Sequence, residues 1–386
     1  MLRNFLLAVA GCLSAASLVA ETPTITISKS DTIALAVSPI SGPEGTAITK
    51  TLESDLILSG LFSITDANKA GMVIAGAAEG ATFQGKVVDH SNSNVLLHSY
   101  SGSNREKAHA FANDIIETLT GHRGMARSRI AFIANRTGHK ELYTADYDGA
   151  NVRQITNDAN LSVAPALSWD GSKIAYTSYL KGYADIYLID LASGRRDRIV
   201  KFPGTNSGAA FSPNGDKIAC SVSKDGNPEL YVVNSDGSGA NRLTHTPGVE
   251  SSPSWSPDGR EIVYSSDDRG TPQLYRISAS GGTGHYISTG HSYCTEPCWS
   301  PDGKKIVFNV REGGVFQIAL LDINSNVTRI VGDGEDDQNP TWGPDSRHVM
   351  YSHAGALFLL DTQTGRKTKI LDGFGSISEP TWSLNP

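Results

Sequence analysis

Apolar and polar residues alternate in short runs through the C-terminal two-thirds of the chain. Ile262 and Tyr264 form one such pair, and a second apolar run follows at residues 274–275. A period of two indicates a β-strand, because successive side chains of a strand point to opposite faces of its sheet. Turn residues, such as Asp-Gly at residues 236–237, separate the runs. The pattern therefore predicts many short antiparallel strands.

These strands recur as an internal repeat. Segments 253–259 (PSWSPDG) and 297–303 (PCWSPDG) differ at one position, and the large apolar residue of this motif recurs at positions 167, 211, 255, 299, 342 and 382. Four short strands in each unit of 40 to 44 residues are typical of a β-propeller blade. The first unit starts at Ile130 without a Trp-bearing strand, and the last copy supplies one at Trp382. We therefore expect these two segments to pair and close a ring of six blades, which removes free sheet edges.

Residues 21–125 have no repeat and mix two hydrophobic periods. Runs typical of strands alternate with two apolar stripes at helical spacing, and each stripe follows a capping-box pattern, Ser41-x-x-Glu44 or Ser103-x-x-Glu106. The chain is therefore predicted to contain two domains: a small N-terminal α/β domain followed by a six-bladed β-propeller closed by the C-terminal strand. The predicted boundaries are 1–20 for a signal peptide, 21–125 for the α/β domain and 126–386 for the propeller.

Residues 1–20 have the features of a secretory signal peptide. Arg3 supplies the positive charge, an apolar stretch follows, and small residues precede a cleavage site before Glu21. An alternative is a lipobox at residues 9–12, in which Cys12 is acylated and retained. Both interpretations predict that the protein leaves the cytoplasm.

Composition narrows the class of function. Lys and Arg total 33 against 40 Asp and Glu, which gives a net charge of −7. This balance disfavours general nucleic-acid binding, because phosphate contacts require clustered basic residues. Beyond the N-terminus no run of 18 apolar residues occurs, so no transmembrane helix is predicted there.

The other cysteines, Cys220, Cys294 and Cys298, are too few for a disulfide framework. The spacing of four between Cys294 and Cys298 leaves two interpretations open, a disulfide or a pair of free thiols. No His stands at ligand spacing to these residues, so the sequence predicts no zinc site.

The sequence lacks the common catalytic motifs. Neither a Gly-x-Ser-x-Gly elbow nor a His-Glu-x-x-His pair occurs, and the ten histidines are scattered. The acidic cluster at residues 333–337 lacks the Asp-x-Asp-x-Asp-Gly spacing of a calcium loop and is interpreted as an exposed loop. We therefore predict no enzyme activity, no cofactor and no metal site.

The loops that precede the innermost strands of the blades form the candidate binding site. In a propeller these loops converge at one mouth of the central channel, and converging polar groups at a concave mouth are a common binding geometry. They suit a polar peptide, although solvated turns, which every propeller has, explain the same composition. The candidate residues are Asn160, Leu161, Ser162, Thr205, Asn206, Ser207, Glu250, Ser251, Ser252, Thr295, Glu296, Gln338, Asn339, Ser378 and Glu379.

Three further segments stand in a fixed order along the chain. Segment 55–62 (DLILSGLF) lies in the first predicted helix, segment 119–131 (LTGHRGMARSRIA) at the predicted domain junction, and segment 146–149 (DYDG) in the first blade. Many propellers share the Trp-Ser-Pro-Asp-Gly repeat. The order of all these pieces, which cover nearly the whole chain, resembles the TolB family of the Tol-Pal system.

The resemblance implies a periplasmic, non-enzymatic adaptor that supports outer-membrane integrity and cell division. The propeller face would bind a Pal-like peptidoglycan-associated lipoprotein, and the N-terminal segment would engage a TolA-like inner-membrane protein. The protein would meet membranes only through these partners. The N-terminal partner segment is expected at Thr24, Ile25, Thr26 and Ile27, for which a plain first strand of the α/β domain is the alternative.

The residues themselves are also compatible with two other functions. A periplasmic propeller that binds a small ligand or a glycan would use the same mouth. A propeller hydrolase would need acid pairs with raised pKa values there, and Glu250, Glu296 and Glu379 are the candidates.

Overall fold

The computed structural model describes residues 32–332 and 334–384. The predicted signal peptide, Cys12, the segment 24–27 and Asp333 lie outside the described residues. Within those ranges, no helix combines the length and apolar character needed to cross a membrane. The fold confirms the prediction of a small α/β region followed by a six-bladed β-propeller.

The α/β region is one five-stranded sheet packed against two helices. The strand order is β2-β1-β3-β4-β5, with β1 parallel to both of its neighbours and the other pairs antiparallel. The elements are β1 (Ile33–Val37), α1 (Gly45–Leu58), β2 (Phe62–Ile64), β3 (Met72–Glu79), β4 (Thr82–Val88), β5 (Asn94–Ser101) and α2 (Asn104–Thr120).

One of the two predicted capping boxes is confirmed. The Ser103 side chain accepts from the backbone N–H of Glu106, whose carboxylate accepts from the backbone N–H of Ser103, and α2 begins there. The prediction for α1 is wrong, since that helix begins after Glu44 without a side-chain cap. Ser41 instead donates its hydroxyl to the Gly76 carbonyl and joins the sheet, so it cannot cap the helix.

The propeller consists of six four-stranded antiparallel sheets. Blade 1 combines β6 (Arg129–Ala134), β7 (Glu141–Asp146) and β8 (Arg153–Gln154) with the C-terminal strand β29 (Ile377–Trp382). Blades 2 to 6 follow in chain order with the strands β9 (Ser162–Leu167), β10 (Lys173–Ser178), β11 (Asp185–Asp190), β12 (Arg196–Val200); β13 (Asn206–Phe211), β14 (Lys217–Val222), β15 (Glu229–Asn234), β16 (Asn241–Arg242); β17 (Glu250–Trp255), β18 (Glu261–Ser266), β19 (Gln273–Ser278), β20 (His285–Tyr286); β21 (Cys294–Trp299), β22 (Lys305–Glu312), β23 (Val315–Asp322), β24 (Val327–Ile330); β25 (Gln338–Trp342), β26 (His348–His353), β27 (Ala356–Asp361) and β28 (Lys367–Leu371).

The ring closes as the sequence predicted. Strand β29 pairs with β6, with Trp382 opposite Ile130 and Ile377 opposite Ala134. The first and last parts of the propeller therefore share one sheet, and no blade edge is left unpaired at the seam.

The repeated Ser-Pro-Asp-Gly sequence builds the turn between the first two strands of a blade. In blade 4 the Ser256 hydroxyl donates to the Asp258 carboxylate at 2.6 Å and accepts from the backbone N–H of Glu261 at 2.9 Å. Gly259 takes a positive φ of 70°, which a glycine adopts without steric cost. Ser300 and Asp302 repeat the arrangement in blade 5, so the motif forms the same turn in both blades.

The α/β region packs against blades 1 and 6, at the face where the innermost strands end. A single apolar core joins the two regions, including Leu52, Phe111, Phe132 and Met350, all fully buried. We call the opposite propeller face, where the innermost strands begin, the mouth face.

The structure decides the open question on the cysteines. Cys220, Cys294 and Cys298 are free thiols. Cys294 and Cys298 lie on the single strand β21, so their Cα atoms are about 13 Å apart along it, whereas a disulfide needs about 4–7 Å.

The acidic cluster is only partly the exposed loop that was expected. Glu335 and Asp336 are exposed, but Asp337 is buried. The Asp337 carboxylate lies 3.1 Å from Nδ1 of His353 and 3.6 Å from Nζ of Lys367. The nearby Lys367 ammonium therefore offsets part of the cost of burying this charge.

Candidate functional site

Six residues at equivalent positions, one on each innermost strand, surround the mouth of the central channel. At each of them the pairing with the second strand shifts by one residue, which defines a β-bulge. We call this set the bulge ring. Its members are Ala164, Gly208, Ser252, Glu296, Asn339 and Glu379.

All six bulge-ring residues have a left-handed backbone, with φ between 49° for Ala164 and 63° for Gly208. Only one of them is a glycine, and a residue with a Cβ atom loses about 1–2 kcal/mol in this conformation. Backbone strain of this kind concentrates at binding and catalytic sites. The bulge turns the chain so that these residues face the channel, which they line.

The channel has a volume of about 340 Å³ and an uneven lining. Its second layer, two residues further along each innermost strand, consists of Ala166, Ala210, Ser254, Cys298, Thr341 and Thr381. In the bulge ring blades 2, 3 and 4 supply small side chains, whereas blades 5, 6 and 1 supply the larger polar side chains of Glu296, Asn339 and Glu379. The channel mouth therefore has a small half, on blades 2 to 4, and a polar half, on blades 5, 6 and 1.

The polar half is connected from blade to blade by hydrogen bonds. The Asn339 amide donates to both carboxylate oxygens of Glu296, at 3.0 and 3.1 Å. The backbone N–H of Glu379 donates to Asn339 Oδ1 at 3.3 Å, and the backbone N–H of Ala164 donates to Glu379 Oε2 at 2.5 Å. Each of these three side chains thus accepts a hydrogen bond from the bulge residue of the next blade. These bonds stabilise the strained backbone.

The two carboxylates of the bulge ring have different surroundings. Burial among the channel walls raises the pKa of Glu296 to about 7, the charge of Glu379 adds to the rise, and the bonds from Asn339 oppose it. Glu379 instead has the Lys140 ammonium 3.7 Å from one of its oxygens. The two carboxyl groups of the mouth therefore differ in their surroundings, one enclosed by the channel walls and the other beside an ammonium group.

Four of the residues selected from the sequence line the channel mouth together: Ser252, Glu296, Asn339 and Glu379. Six others stand on the rim or next to a bulge and do not line the channel, namely Thr205, Ser207, Ser251, Thr295, Gln338 and Ser378. Asn160 and Leu161 also lie on the rim, where Leu161 is exposed.

Three further candidates, Ser162, Asn206 and Glu250, are fully buried and cannot contact a partner at the mouth. They begin their strands two residues before the bulge and point into the packing between blades. Asn206 donates to the Phe202 carbonyl at 2.8 Å, and Glu250 accepts from the hydroxyls of Thr246 and Ser266.

Glu250 has a second carboxylate as a neighbour. Burial raises its pKa to about 7, and Glu229, which is also buried, adds to the rise. Glu229 in turn accepts from the Arg242 guanidinium at 2.8 Å. Both carboxylates of this pair are buried inside the propeller, and neither lines the channel.

Cationic side chains stacked on aromatic rings occupy the outer rim of the mouth face. Arg136 lies 5.0 Å from the centre of the Phe374 ring, and Lys224 lies 4.7 Å from that of Phe202. Both cations belong to hairpins between the second and third strands of a blade. Positive charge on the rim thus surrounds negative charge at the centre, and the stacking holds the cations in position.

The sequence interpretation missed Ala164 and Gly208 as members of the ring, and Cys298 in the second layer. The repeat itself contained the signal, because positions 164, 208, 252 and 296 are spaced by 44 residues. The left-handed backbone conformation, not the size or polarity of the side chain, defines this position, so Ala164 and Gly208 belong to it as well.

The site offers hydrogen-bond donors and acceptors and, at its centre, two carboxyl side chains that favour cationic groups. Among the described residues, the one group of His and Asp atoms close enough to hold a metal ion lies elsewhere, at the junction with the α/β region. The mouth is therefore suited to recognition of a polar or cationic group on a partner.

Comparison with known families and proteins gives consistent matches. A family model described as the TolB beta propeller domain matches residues 116–385. The chain is 37% identical over 123 residues to a protein TolB homolog of Chlorobium chlorochromatii, and these residues make up 31% of this chain and 28% of that protein. It is 34% identical over 199 residues to the Tol-Pal system protein TolB of Syntrophotalea carbinolica, covering 42% and 46%. The chain therefore spans less than half the length of these relatives.

A solved structure matches over nearly the whole chain. The crystal structure of TolB from Acinetobacter baumannii superposes with a TM-score of 0.83 at 25% identity, covering 93% of this chain and 98% of that one. A chain from a nidogen/laminin complex superposes with a TM-score of 0.57 at 10% identity, which shows a shared fold alone.

Proposed function

The chain belongs to the TolB propeller family, and from that premise we propose that it is a non-enzymatic periplasmic adaptor of the Tol-Pal system. In this proposal the mouth face binds a Pal-like peptidoglycan-associated lipoprotein. The segment containing Thr24, Ile25, Thr26 and Ile27 engages a TolA-like inner-membrane protein. The protein thereby supports outer-membrane integrity and cell division, and it meets both membranes only through its partners.

The bulge ring is the observation that carries the proposal. It gathers polar groups from three consecutive blades at one concave opening and holds each on a strained backbone. Such preorganisation favours binding, because less conformational freedom is lost when a partner docks. The small half beside it, at Ala164, Gly208 and Ser252, leaves room for a partner segment to enter.

The charge pattern of the mouth face indicates the chemistry of the partner surface. Glu296 and Glu379 at the centre favour a cationic or donor-rich tip, while Arg136 and Lys224 on the rim favour acidic flanks. Complementary potentials of this kind determine register and association rate more than affinity.

The experiment is an affinity capture with residues 21–386 immobilised and detergent-solubilised envelope from the source cells offered. We expect wild type to retain a lipoprotein with a peptidoglycan-binding domain, identified by mass, and Glu296→Lys to retain at least ten-fold less. Asp236→Lys makes the same charge change on an exposed turn of the opposite face and serves as the matched control. It should capture as wild type does.

Three outcomes contradict parts of the proposal. Retention of no protein would favour the alternative function, a propeller that binds a small ligand or glycan in the channel. Equal loss in Glu296→Lys and Asp236→Lys would show that the binding surface is not the mouth. Retention of a TolA-like protein after deletion of residues 21–28 would remove the role of the N-terminal segment.

A further inference from the structure

Charged residues are unevenly distributed around the rim of the mouth face. The rim consists of the hairpins between the second and third strands of each blade and of the loops that lead to the next blade. In blades 1 to 3 these segments contain five Lys and Arg residues and two Asp residues. In blades 4 to 6 they contain one Arg and seven Asp and Glu residues. The segments are 135–140, 155–161, 179–184, 201–205, 223–228 and 243–249 for blades 1 to 3, and 267–272, 287–293, 313–314, 331–337, 354–355 and 372–376 for blades 4 to 6. The mouth face therefore has a positive half and a negative half.

Four exposed cations of the positive half are available to a partner. The two acids of the same segments are already paired, since Asp158 accepts from Arg196 at 2.6 Å and Asp225 lies 3.3 Å from Arg242. Lys140, the fifth cation, lies near Glu379 of the channel mouth. The other four have no carboxylate within ion-pair distance among the residues that the structure describes. We call these four the basic arc: Arg136, Lys181, Lys201 and Lys224.

Exposed apolar side chains lie at the centre of the basic arc, on blade 2. Tyr183, two residues after Lys181, is 73% exposed, and Leu161 is 39% exposed. The backbone N–H of Tyr179 donates to the Leu161 carbonyl at 3.1 Å, so the hairpin and the loop that carry these side chains lie side by side. Aromatic residues and arginine are enriched in protein interfaces, and tyrosine and arginine often dominate the binding energy there. The composition of the arc is therefore that of a protein-binding surface.

The acids of the negative half lie across the channel from the basic arc. In a ring of six blades, blade 5 is opposite blade 2, which carries the centre of the arc. Glu335 and Asp336 are exposed on the loop that follows blade 5. Charges of opposite sign on the two sides of one face determine the register of a partner, because only one orientation matches both signs.

We propose that the basic arc binds an acidic edge of a protein partner and thereby fixes the orientation of that partner on the mouth face. This inference rests on the proposed function, because it specifies how a protein seated at the mouth is oriented. An apolar residue within the acidic edge packs against Tyr183 and Leu161, and a neutral or basic side of the partner lies over blades 5 and 6. An anionic membrane fits this face less well, since a plane in contact with the arc also meets Glu335 and Asp336 and is repelled by them.

The test is a titration of residues 21–386 with a fluorescent peptide of four Glu-Glu-Leu repeats, followed by anisotropy. We expect wild type to bind the peptide, and the double variant Arg136→Glu/Lys224→Glu to bind it about ten-fold more weakly, because two attractive charges become repulsive. Tyr183→Ser should weaken binding about three-fold through lost apolar contact. All three side chains are exposed, so these variants should melt close to wild type.

The matched control is the double variant Arg260→Glu/Lys304→Glu. It makes the same charge changes on exposed turns of the opposite propeller face, and it should bind the peptide as wild type does. Equal affinity in the two double variants, or no binding by wild type, would overturn the inference.

Two further measurements separate this inference from its competitors. Phosphatidylglycerol vesicles that bind wild type but not Arg136→Glu/Lys224→Glu, in the absence of peptide binding, would assign the arc to a membrane surface and overturn the inference. In the envelope capture, an arc variant that retains the lipoprotein as wild type does would contradict the inference and leave the proposed function intact. Failure of wild type to retain any protein would contradict the proposed function, and the peptide titration would then decide on the arc alone.

Discussion

The mouth of the propeller and the junction with the α/β region both concentrate carboxylates, but they use them in opposite ways. At the mouth, Glu296 and Glu379 open onto a channel, and each accepts a hydrogen bond from a backbone N–H group of the next blade. At the junction, Asp55 is enclosed and its partners are the side chains of His109 and Tyr147.

The difference shows which polar cluster is available to a partner and which serves the fold. A carboxylate that stabilises a bulge and still faces open space keeps some of its acceptor capacity for another molecule. A carboxylate enclosed by side chains from two regions joins those regions, and removing it leaves its donors buried without acceptors. Deletion of the charge should therefore have unequal effects on stability at the two places.

The largest effect is expected for Asp55→Ala. This change leaves the Tyr147 hydroxyl and the His109 ring without their acceptor inside the protein, so the free energy of unfolding should fall by about 3 kcal/mol. Glu296→Ala, the same type of deletion at the mouth, should cost about 1 kcal/mol or less because water can replace the carboxylate. Denaturant unfolding of both variants measures the difference, and equal losses would remove the contrast between the two clusters.

A smaller effect should appear as a pH dependence at Glu250, just beneath the mouth. Its pKa is about 7 in the folded protein and near 4.5 in an unfolded chain. Between these values the folded state keeps a proton that the unfolded chain has released, so this group's contribution to stability falls as pH rises. Glu250→Gln removes that dependence. Its stability relative to wild type should rise by about 1–3 kcal/mol between about pH 4.5 and pH 8 in urea unfolding. A pH-independent difference would mean that the acid pair with Glu229 is already neutralised by its other partners.

The smallest effect concerns backbone strain within the small half of the bulge ring. Ala164 and Gly208 share a left-handed backbone, with φ of 49° and 63°. Ala164→Gly should stabilise the protein and Gly208→Ala should destabilise it, each by about 1 kcal/mol, since a Cβ atom is unfavourable in this conformation. Space is not the reason, because a Cβ at Gly208 would have its nearest neighbour 3.8 Å away. Thermal unfolding measures both variants, and changes of the same sign would show that strain is not what distinguishes them.

The sequence predicted where the candidate site lies, but not which side chains reach the channel. The repeat placed Glu296 and Glu379 before innermost strands, and both line the mouth. The same reasoning placed Asn206 and Glu250 there, and both are buried. The sequence analysis placed these residues in loops, whereas Asn206 and Glu250 begin the innermost strands of their blades. It therefore predicted neither the alternation of side-chain direction there nor the bulge that interrupts it.

The sequence by itself determined the blades, their number and their closure, because a period of two within a period of about 44 residues is local information repeated along the chain. It also determined α2, through a capping box whose two bonds lie within four residues. The cluster of Asp55, His109 and Asp148 was decided only by the tertiary structure. Its members are far apart in sequence and meet only because one apolar core packs both helices against blade 1. Contacts of that kind depend on how elements dock, which no spacing along the chain encodes.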